Sequence, residues 1–137
     1  GAKTTLTHRI IATDIAPAAV AAARQNAAAA GVEHCIEFAV GDFAATPVPP
    51  GGGVVFLNPE YGERLGDAAA LEPTYRRIGQ FLKKTGAGGR GYVFTGNLTL
   101  ARRVGLKVDR ILSFYNGALE CRLLEFALRG GWQYLLP

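Results

Sequence analysis

Short runs of β-branched and aromatic residues alternate along this chain with longer segments that are apolar on one face. The first pattern predicts strands and the second predicts helices, because side chains repeat about every 2 residues in a strand and about every 3.6 in a helix. The predicted strands are 9–15, 35–42, 53–58 and 90–97, and the predicted helices are 17–31, 72–86 and 98–105. Two alternating runs in 108–128 flank Asn116-Gly117, which predicts an antiparallel hairpin. The predicted order is β-α-β-β-α-β-α-β-β.

This order predicts an α/β fold, a Rossmann-like doubly wound sheet whose last two strands are antiparallel. Pro17 suits the first turn of its helix, and Gly31 suits the position just past the end of that helix. The strand at 53–58 is apolar on both faces, which is typical of a covered parallel strand. The last nine residues, RGGWQYLLP, are predicted to be a loose end.

Composition indicates one globular domain spanning 1–137, since 49% of the residues are hydrophobic and 19% are charged. No apolar run approaches the roughly 20 residues of a membrane span, and no signal peptide is visible. Cys35 and Cys121 each lie in a predicted strand. Their positions favour buried free thiols in a reducing, cytoplasmic compartment over a disulfide or a metal site.

The net charge of +4 permits nucleic-acid binding without specifying it. Basic residues gather at Arg76, Arg77, Lys83, Lys84, Arg90, Arg102, Arg103, Lys107 and Arg110. Two interpretations stay open for them, solvated helix faces and a surface that contacts phosphates.

Three predicted strands end in polar residues, Asp14, Asp42 and Asn58. Because ligands of such sheets bind at the carboxyl ends of the strands, we expect these side chains along one edge. Asp14 is a candidate acceptor for ribose hydroxyls or an N-cap of the next helix, and Ile15 would offer adenine an apolar face. Asp42 is a candidate acceptor for an adenine amino group or a plain turn residue.

The sequence Asn58-Pro59-Glu60-Tyr61 suggests chemistry on a nucleobase amine. The lone pair of such an amine is delocalised into the ring, so an enzyme must aim acceptors at its hydrogens while it attacks. The Asn58 side chain and the Pro59 carbonyl are two such acceptors. Tyr61 could stack on a base turned out of its helix. The alternative is an ordinary turn, in which Asn and Pro are common.

The segments NPEYGERLGD, LEPTYRRIGQFLKK and YVFTGNLTLARRVGLKVDRILSFYNGALECRLLEF resemble the C-terminal half of the THUMP-associated bacterial RNA methylases. These are the guanine-N2-methyltransferases of 23S, large-subunit ribosomal RNA. IIATDIAPAAVAAARQNAAAAGV resembles the second strand and following helix of that family, so the resemblance covers roughly 9–126. The hairpin motif is far more specific than the tetrapeptide.

The resemblance implies a class I methyltransferase sheet and transfer of methyl from S-adenosylmethionine to a guanine N2 of ribosomal RNA. By position, Asp14 would bind the cofactor ribose and Asp42 the adenine. Ile15 and Phe43, which follow these acids, are assigned to the cofactor site with them. The resemblance further assigns the target amine and base to Asn58, Pro59 and Tyr61.

The chain departs from this family in two ways. Glu60 stands where the family has a second proline, which brings a negative charge near the base site. The first strand with its Gly-rich loop and the THUMP module are not recognisable, which suggests a partial domain. Either the strands ending at Asp14 and Asn58 then pair directly, or a second chain completes the sheet. We expect this chain alone to bind S-adenosylmethionine poorly and its activity alone to be doubtful.

Three other functions are compatible with parts of the sequence. An adenine-N6 DNA methyltransferase would use the same loop chemistry, but the C-terminal hairpin argues against it. A non-catalytic scaffold or RNA-binding fragment would use its acids only as caps. A nicotinamide-binding domain is supported only by topology and Asp14, since the Gly-rich fingerprint is not found.

Overall fold

The computed structural model describes residues 8–49, 51–62, 67–85 and 88–128, in two compact units, 1–49 and 50–137. The strands are β1 (Ile10–Asp14), β2 (Ile36–Val40), β3 (Val54–Leu57), β4 (Arg90–Thr95), β5 (Arg110–Asn116) and β6 (Leu119–Ala127). The helices are α1 (Pro17–Ala29), α2 (Asp67–Thr85) and α3 (Leu98–Ala101), and a 3-10 turn, Arg102–Val104, follows α3. The predicted order is confirmed. The predicted loose end, 129–137, lies outside the described residues.

The first unit is a β-α-β motif. β1 and β2 are parallel, with Ile10 opposite Ile36 and Asp14 opposite Val40. α1 connects the two strands, as a parallel pair requires. At its C-terminus, the N–H groups of Gly31 and Val32 donate to the carbonyls of Ala28 and Ala27, which is a Schellman motif. The φ of Gly31 is +77°, so glycine is required for that ending, as its position in the sequence predicts.

The second unit is a four-stranded sheet in the order β3-β4-β6-β5. β3 and β4 are parallel, whereas β6 is antiparallel to both β4 and β5. The predicted hairpin is confirmed, although its two-residue turn is Gly117-Ala118, because Asn116 still pairs with Leu119; Gly117 has a φ of +64°. The carboxyl ends of β3 and β4 therefore lie at the same edge of this sheet.

The core of the second unit lies between α2 and one face of this sheet. Tyr75, Ile78 and Leu82 of α2 are at most 1% exposed, as their helical spacing predicts. α2 also packs closely on the 3-10 turn, since a Cβ added to Gly79 would lie 1.8 Å from the backbone oxygen of Val104. This position therefore admits only glycine, although alanine is the better helix former.

Two expectations about these elements are wrong. α2 begins at Asp67 rather than at residue 72, so Pro73 lies inside the helix, on its exposed side, and not in its first turn. Only one face of β3 is shielded, because Val54 and Phe56 are 69% and 59% exposed, whereas Val55 and Leu57 on the other face are half-buried. Direct pairing of β1 with β3, one of the two alternatives that the sequence leaves open, is not found, since the two strands belong to separate sheets.

A nearly buried carboxylate joins three strands on the face of the sheet away from α2. Glu125 of β6 accepts a hydrogen bond from Tyr92 Oη of β4 at 2.6 Å. Arg90 and Arg110 each lie 3.4 Å from the same carboxylate. The Tyr92 hydrogen bond is the main reason that the pKa of Glu125 is lowered, and it raises the pKa of Tyr92. Both arginines are thus occupied by an internal charge.

Both cysteines are free thiols, with Cys121 buried and Cys35 half-buried. None of the described helices is long and apolar enough to cross a membrane. A single domain spanning the whole chain, and a second chain completing the sheet, stay predictions.

Candidate functional site

Two candidate cofactor-binding acids lie at the carboxyl ends of the two strands of the first unit. Asp14 is the last residue of β1, and Asp42 follows β2 by two residues. The backbone N–H of Gly41 donates to the backbone oxygen of Asp14 at 2.9 Å, which ties the two strand ends together. A second link joins Thr13 Oγ1 to Thr46 Oγ1 at 2.7 Å. The sequence correctly predicts that these two carboxylates share an edge.

Asp14 is not the N-cap of α1. Its Oδ1 accepts from the backbone N–H of Ala16 at 2.8 Å, and Ala16 itself is the N-cap, without a side-chain cap bond. This Asx-turn carries the chain from β1 into α1 and leaves Asp14 exposed. Because a carboxylate has two oxygens, Oδ2 is still able to accept from a ligand hydroxyl.

Asp42 is the N-cap of the 3-10 turn Phe43–Ala45, where its Oδ1 accepts from the N–H of Ala44 at 2.8 Å. A turn role for Asp42 is therefore present, and it does not exclude a second partner on the other oxygen. Phe43 is half-buried, and Ile15 is 70% exposed.

This arrangement fits the adenosine part of S-adenosylmethionine. Two carboxylates at adjacent strand ends match ribose hydroxyls and an adenine amino group, and exposed Ile15 is an apolar surface for a base. The cavity beside Asp14, between β1, α1 and Phe38, measures about 110 Å³. Ligand pockets usually measure about 300–1,000 Å³, so this cavity is too small to enclose such a ligand.

The second group of candidate residues, Asn58, Pro59 and Tyr61, lies in the loop 58–61 that follows β3. Asn58 is exposed directly after the strand, and Pro59 is half-buried. β4, the parallel neighbour of β3, ends at the same edge with Thr95. Polar atoms from the two strand ends can therefore converge on one ligand.

A directed chain of hydrogen bonds supports this loop. Tyr75 Oη donates to the backbone oxygen of Glu60 at 2.8 Å and lies 2.8 Å from Thr95 Oγ1. Because a phenol has one proton, Thr95 must donate to Tyr75. Thr95 Oγ1 in turn accepts from the N–H of Asn97 at 3.1 Å. Tyr75 and Thr95 are at most 1% exposed, and burial raises the pKa of Tyr75, which keeps its donor proton in place.

Asn97 and Gly96 position Tyr61. Asn97 Nδ2 donates to the backbone oxygen of Tyr61 at 3.3 Å, while Asn97 Oδ1 caps α3 by accepting from Leu100 at 3.0 Å. A Cβ on Gly96 would lie 2.7 Å from Tyr61 Cε2, so the absence of a side chain lets the ring approach the backbone. The half-buried ring of Tyr61 is thus held at the end of β4.

A partial signal for these supporting residues is present in the sequence. The segment TGN, 95–97, belongs to the resemblance, but its geometric role is not predictable from spacing. Tyr75 has the spacing of a core residue and is buried, so only its hydroxyl contact with residue 60 escapes prediction. Each unit brings its own candidates together, whereas a common edge for Asp14, Asp42 and Asn58 stays a prediction.

A family model described as "RMKL-like, methyltransferase domain" matches residues 2–125. The ribosomal RNA large subunit methyltransferase K/L of Syntrophotalea carbinolica is 41% identical over 112 residues, which are 79% of this chain. The chain spans only 16% of the length of that relative. The resemblance seen in the sequence is thereby confirmed.

Two solved structures have the same fold as this chain. "A possible methylase from Clostridium difficile 630" is 31% identical, with a TM-score of 0.79 over 89% of this chain and 32% of that one. SMU.472, described as a methyltransferase complexed with SAH, is 27% identical, with a TM-score of 0.79 over 88% of this chain and 32% of that one. The fold is that of class I S-adenosylmethionine-dependent methyltransferases. The chain belongs to UPF0020, the RMKL-like methyltransferase domain family, whose cofactor is S-adenosylmethionine.

Proposed function

We propose that the protein carrying this chain transfers a methyl group from S-adenosylmethionine to the exocyclic N2 amine of a guanine in large-subunit ribosomal RNA, in the cytoplasm. The observation that carries the proposal is the braced loop 58–61, which presents the Asn58 side chain at the carboxyl end of β3. The names of the relatives support ribosomal RNA as the substrate.

Asn58 Oδ1 and the Pro59 carbonyl would accept the two hydrogens of the target amine. This removes the lone pair from conjugation with the ring and directs it outward. S-adenosylmethionine supplies an electrophilic methyl group when it is bound. In the transfer, a nitrogen–carbon bond would replace the carbon–sulfur bond, the electron pair of the broken bond would stay on sulfur, and one amine proton would leave to water. Because the acceptors are fixed before reaction, they need no reorganisation during it.

The supporting contacts favour the Pro59 carbonyl as the backbone acceptor for the amine. The Glu60 carbonyl already accepts from Tyr75, so it belongs to the framework of the loop. The replacement of the family's second proline by Glu60 therefore leaves Pro59 as the backbone acceptor. Glu60 is exposed, so its side chain adds a negative charge at the surface of the loop.

Cofactor binding is assigned to the first unit. Asp14 would accept from ribose hydroxyls while its turn bond to Ala16 keeps the carboxylate in place. Asp42 would accept from the adenine amino group, with Ile15 and Phe43 against the adenine faces. Tyr61, held by Gly96 and Asn97, would stack on the guanine.

A comparison of two naked substrates tests this proposal. The complete protein is incubated with methyl-labelled S-adenosylmethionine and either a large-subunit ribosomal RNA transcript or duplex DNA of equal length. We expect the label in the RNA and background incorporation in the DNA. Label in the DNA alone would favour an adenine-N6 DNA methyltransferase, and no label in either would favour the non-catalytic alternative. Either of these two results would overturn the proposal.

A further inference from the structure

The positive charge of this chain is concentrated in α2 and in the 3-10 turn that follows α3. α2, α3 and the 3-10 turn hold six of the 15 basic residues but two of the 11 acidic residues. Their net charge of +4 equals that of the whole chain, so the remaining residues balance at nine of each sign. The six basic residues are Arg76, Arg77, Lys83, Lys84, Arg102 and Arg103.

Five of these residues form an exposed surface, which we call the basic face. It consists of Arg76, Arg77 and Lys84 of α2 and Arg102 and Arg103 of the 3-10 turn. Arg77 and Lys84 are seven residues apart, or about two helical turns, so they lie on one side of α2.

One carboxylate connects the two parts of the basic face. Glu72 lies 2.9 Å from Arg76 and 3.6 Å from Arg103, which brings the turn alongside α2. The Arg76 hydrogen bond and the Arg103 charge lower the pKa of Glu72, so this acid is ionised at neutral pH. A single negative charge shared by two arginines leaves the face strongly positive.

Four described arginines outside the basic face have acidic partners. Arg9 pairs with Glu37 at 2.8 Å, and Arg122 lies 3.3 Å from Glu120. Arg90 and Arg110 share the carboxylate of Glu125. Of the two interpretations that the sequence leaves open, an internal structural role thus accounts for Arg90 and Arg110, whereas Lys84 and Arg102 of the basic face form no ion pair with any of the described residues.

The basic face adjoins the loop proposed to hold the target base. Arg76 follows Tyr75, whose hydroxyl binds the Glu60 carbonyl. The 3-10 turn follows α3, whose N-cap, Asn97, binds the Tyr61 carbonyl. α3 and the turn together have seven residues, which corresponds to about 10–14 Å of helix. Both basic elements therefore have a point of contact with the base-holding loop and continue outward from it.

We infer that the basic face binds backbone phosphates of the RNA strand next to the guanine that loop 58–61 holds. This inference rests on the proposed function. A base that is turned out of its stack brings its neighbouring phosphates close to the protein surface. The guanidinium groups of the four arginines suit phosphate oxygens because they donate paired hydrogen bonds.

Salt dependence of RNA binding tests this inference. The variant Lys84→Gln/Arg102→Gln is compared in the complete protein with Arg9→Gln/Arg24→Gln, which removes the same charge from the first unit. Binding of a large-subunit ribosomal RNA transcript is titrated between about 50 and 200 mM KCl. Two lost contacts to single-stranded phosphates should reduce the slope of log K against log salt by about 1.4, so the unmodified protein should lose about sevenfold more affinity over this range than the variant.

The control variant should keep the slope of the unmodified protein, and thermal melting establishes that both variants are folded. An unchanged slope for Lys84→Gln/Arg102→Gln, or an equal change in the control, would overturn the inference. Asn58→Ala, assayed in parallel, separates this inference from the proposed function. If that variant has lost methyl transfer while the Lys84/Arg102 slope is unchanged, the proposed function stands and the basic face does not bind RNA. If the slope falls but Asn58→Ala is fully active, the basic face binds RNA and the proposed role of Asn58 is wrong.

Discussion

Replacement of Asn58 by alanine should lower the turnover of methyl transfer by about 10²–10³. The variant removes one of two acceptors proposed for the target amine, so the nitrogen lone pair stays conjugated with the ring. Asn58 is exposed after β3 and its side chain supports no core contact, so the fold should be unaffected. Single-turnover rates at saturating cofactor and RNA measure the effect.

Two matched variants make this prediction specific. Asn58→Asp keeps acceptor oxygens at the same position and should retain more activity than Asn58→Ala. Asn26→Ala removes an asparagine from the exposed side of α1 and should leave the rate unchanged. The affinity for S-adenosylmethionine should be the same in all of them. An Asn58→Ala rate within a few-fold of the unmodified protein would contradict the assigned role.

Replacement of Asp14 by alanine should weaken S-adenosylmethionine binding by roughly 10- to 150-fold, which corresponds to about 1.5–3 kcal/mol for a hydrogen bond to a charged group. The carboxylate is proposed to accept from the ribose, a contact made before and during the reaction. Such uniform binding affects affinity and not turnover, so the rate at saturating cofactor should change little. Calorimetric titration of the complete protein measures the affinity.

The Asx-turn of Asp14 requires a control of its own, because alanine also removes the bond to Ala16. Asp14→Asn keeps an acceptor for that bond and removes the charge, so it separates loss of the turn from loss of the ribose contact. Glu33→Gln removes an exposed acidic charge from the same unit and should have no effect. An unchanged affinity in Asp14→Ala would show that Asp14 shapes the turn only.

The sequence predicts the fold well where local signals are strong. Gly31 ends α1, and Gly117 begins the turn of the hairpin, because both glycines have a positive φ that few other residues adopt. The start of α2 lies five residues before the predicted one, and a proline at residue 73 favours the later start because proline suits a first helical turn. The exposure of Val54 and Phe56 is not predictable from their apolar character, because exposure depends on which elements cover each face of the sheet.

The candidate site, too, is predictable where the signal is local and not where it depends on distant parts of the chain. Asp14, Asp42 and Asn58 are identifiable because they end strands, which is a local property. The support from Tyr75 and Thr95 is not, because Tyr75 is 15 positions from Glu60 in the chain and Thr95 is 20 positions from Tyr75. Close contact between Gly96 and the Tyr61 ring is equally nonlocal, and glycine is common after a strand wherever the chain turns.

The most direct test of the proposed mechanism is the identity of the methylated nucleoside. Large-subunit ribosomal RNA labelled by the complete protein is digested to nucleosides, which are separated and identified by mass spectrometry. The mechanism predicts label in N2-methylguanosine for the unmodified protein and a loss of about 10²–10³ in its rate of formation for Asn58→Ala. Label in another nucleoside, such as N6-methyladenosine, or formation of N2-methylguanosine at an undiminished rate without Asn58, would contradict it.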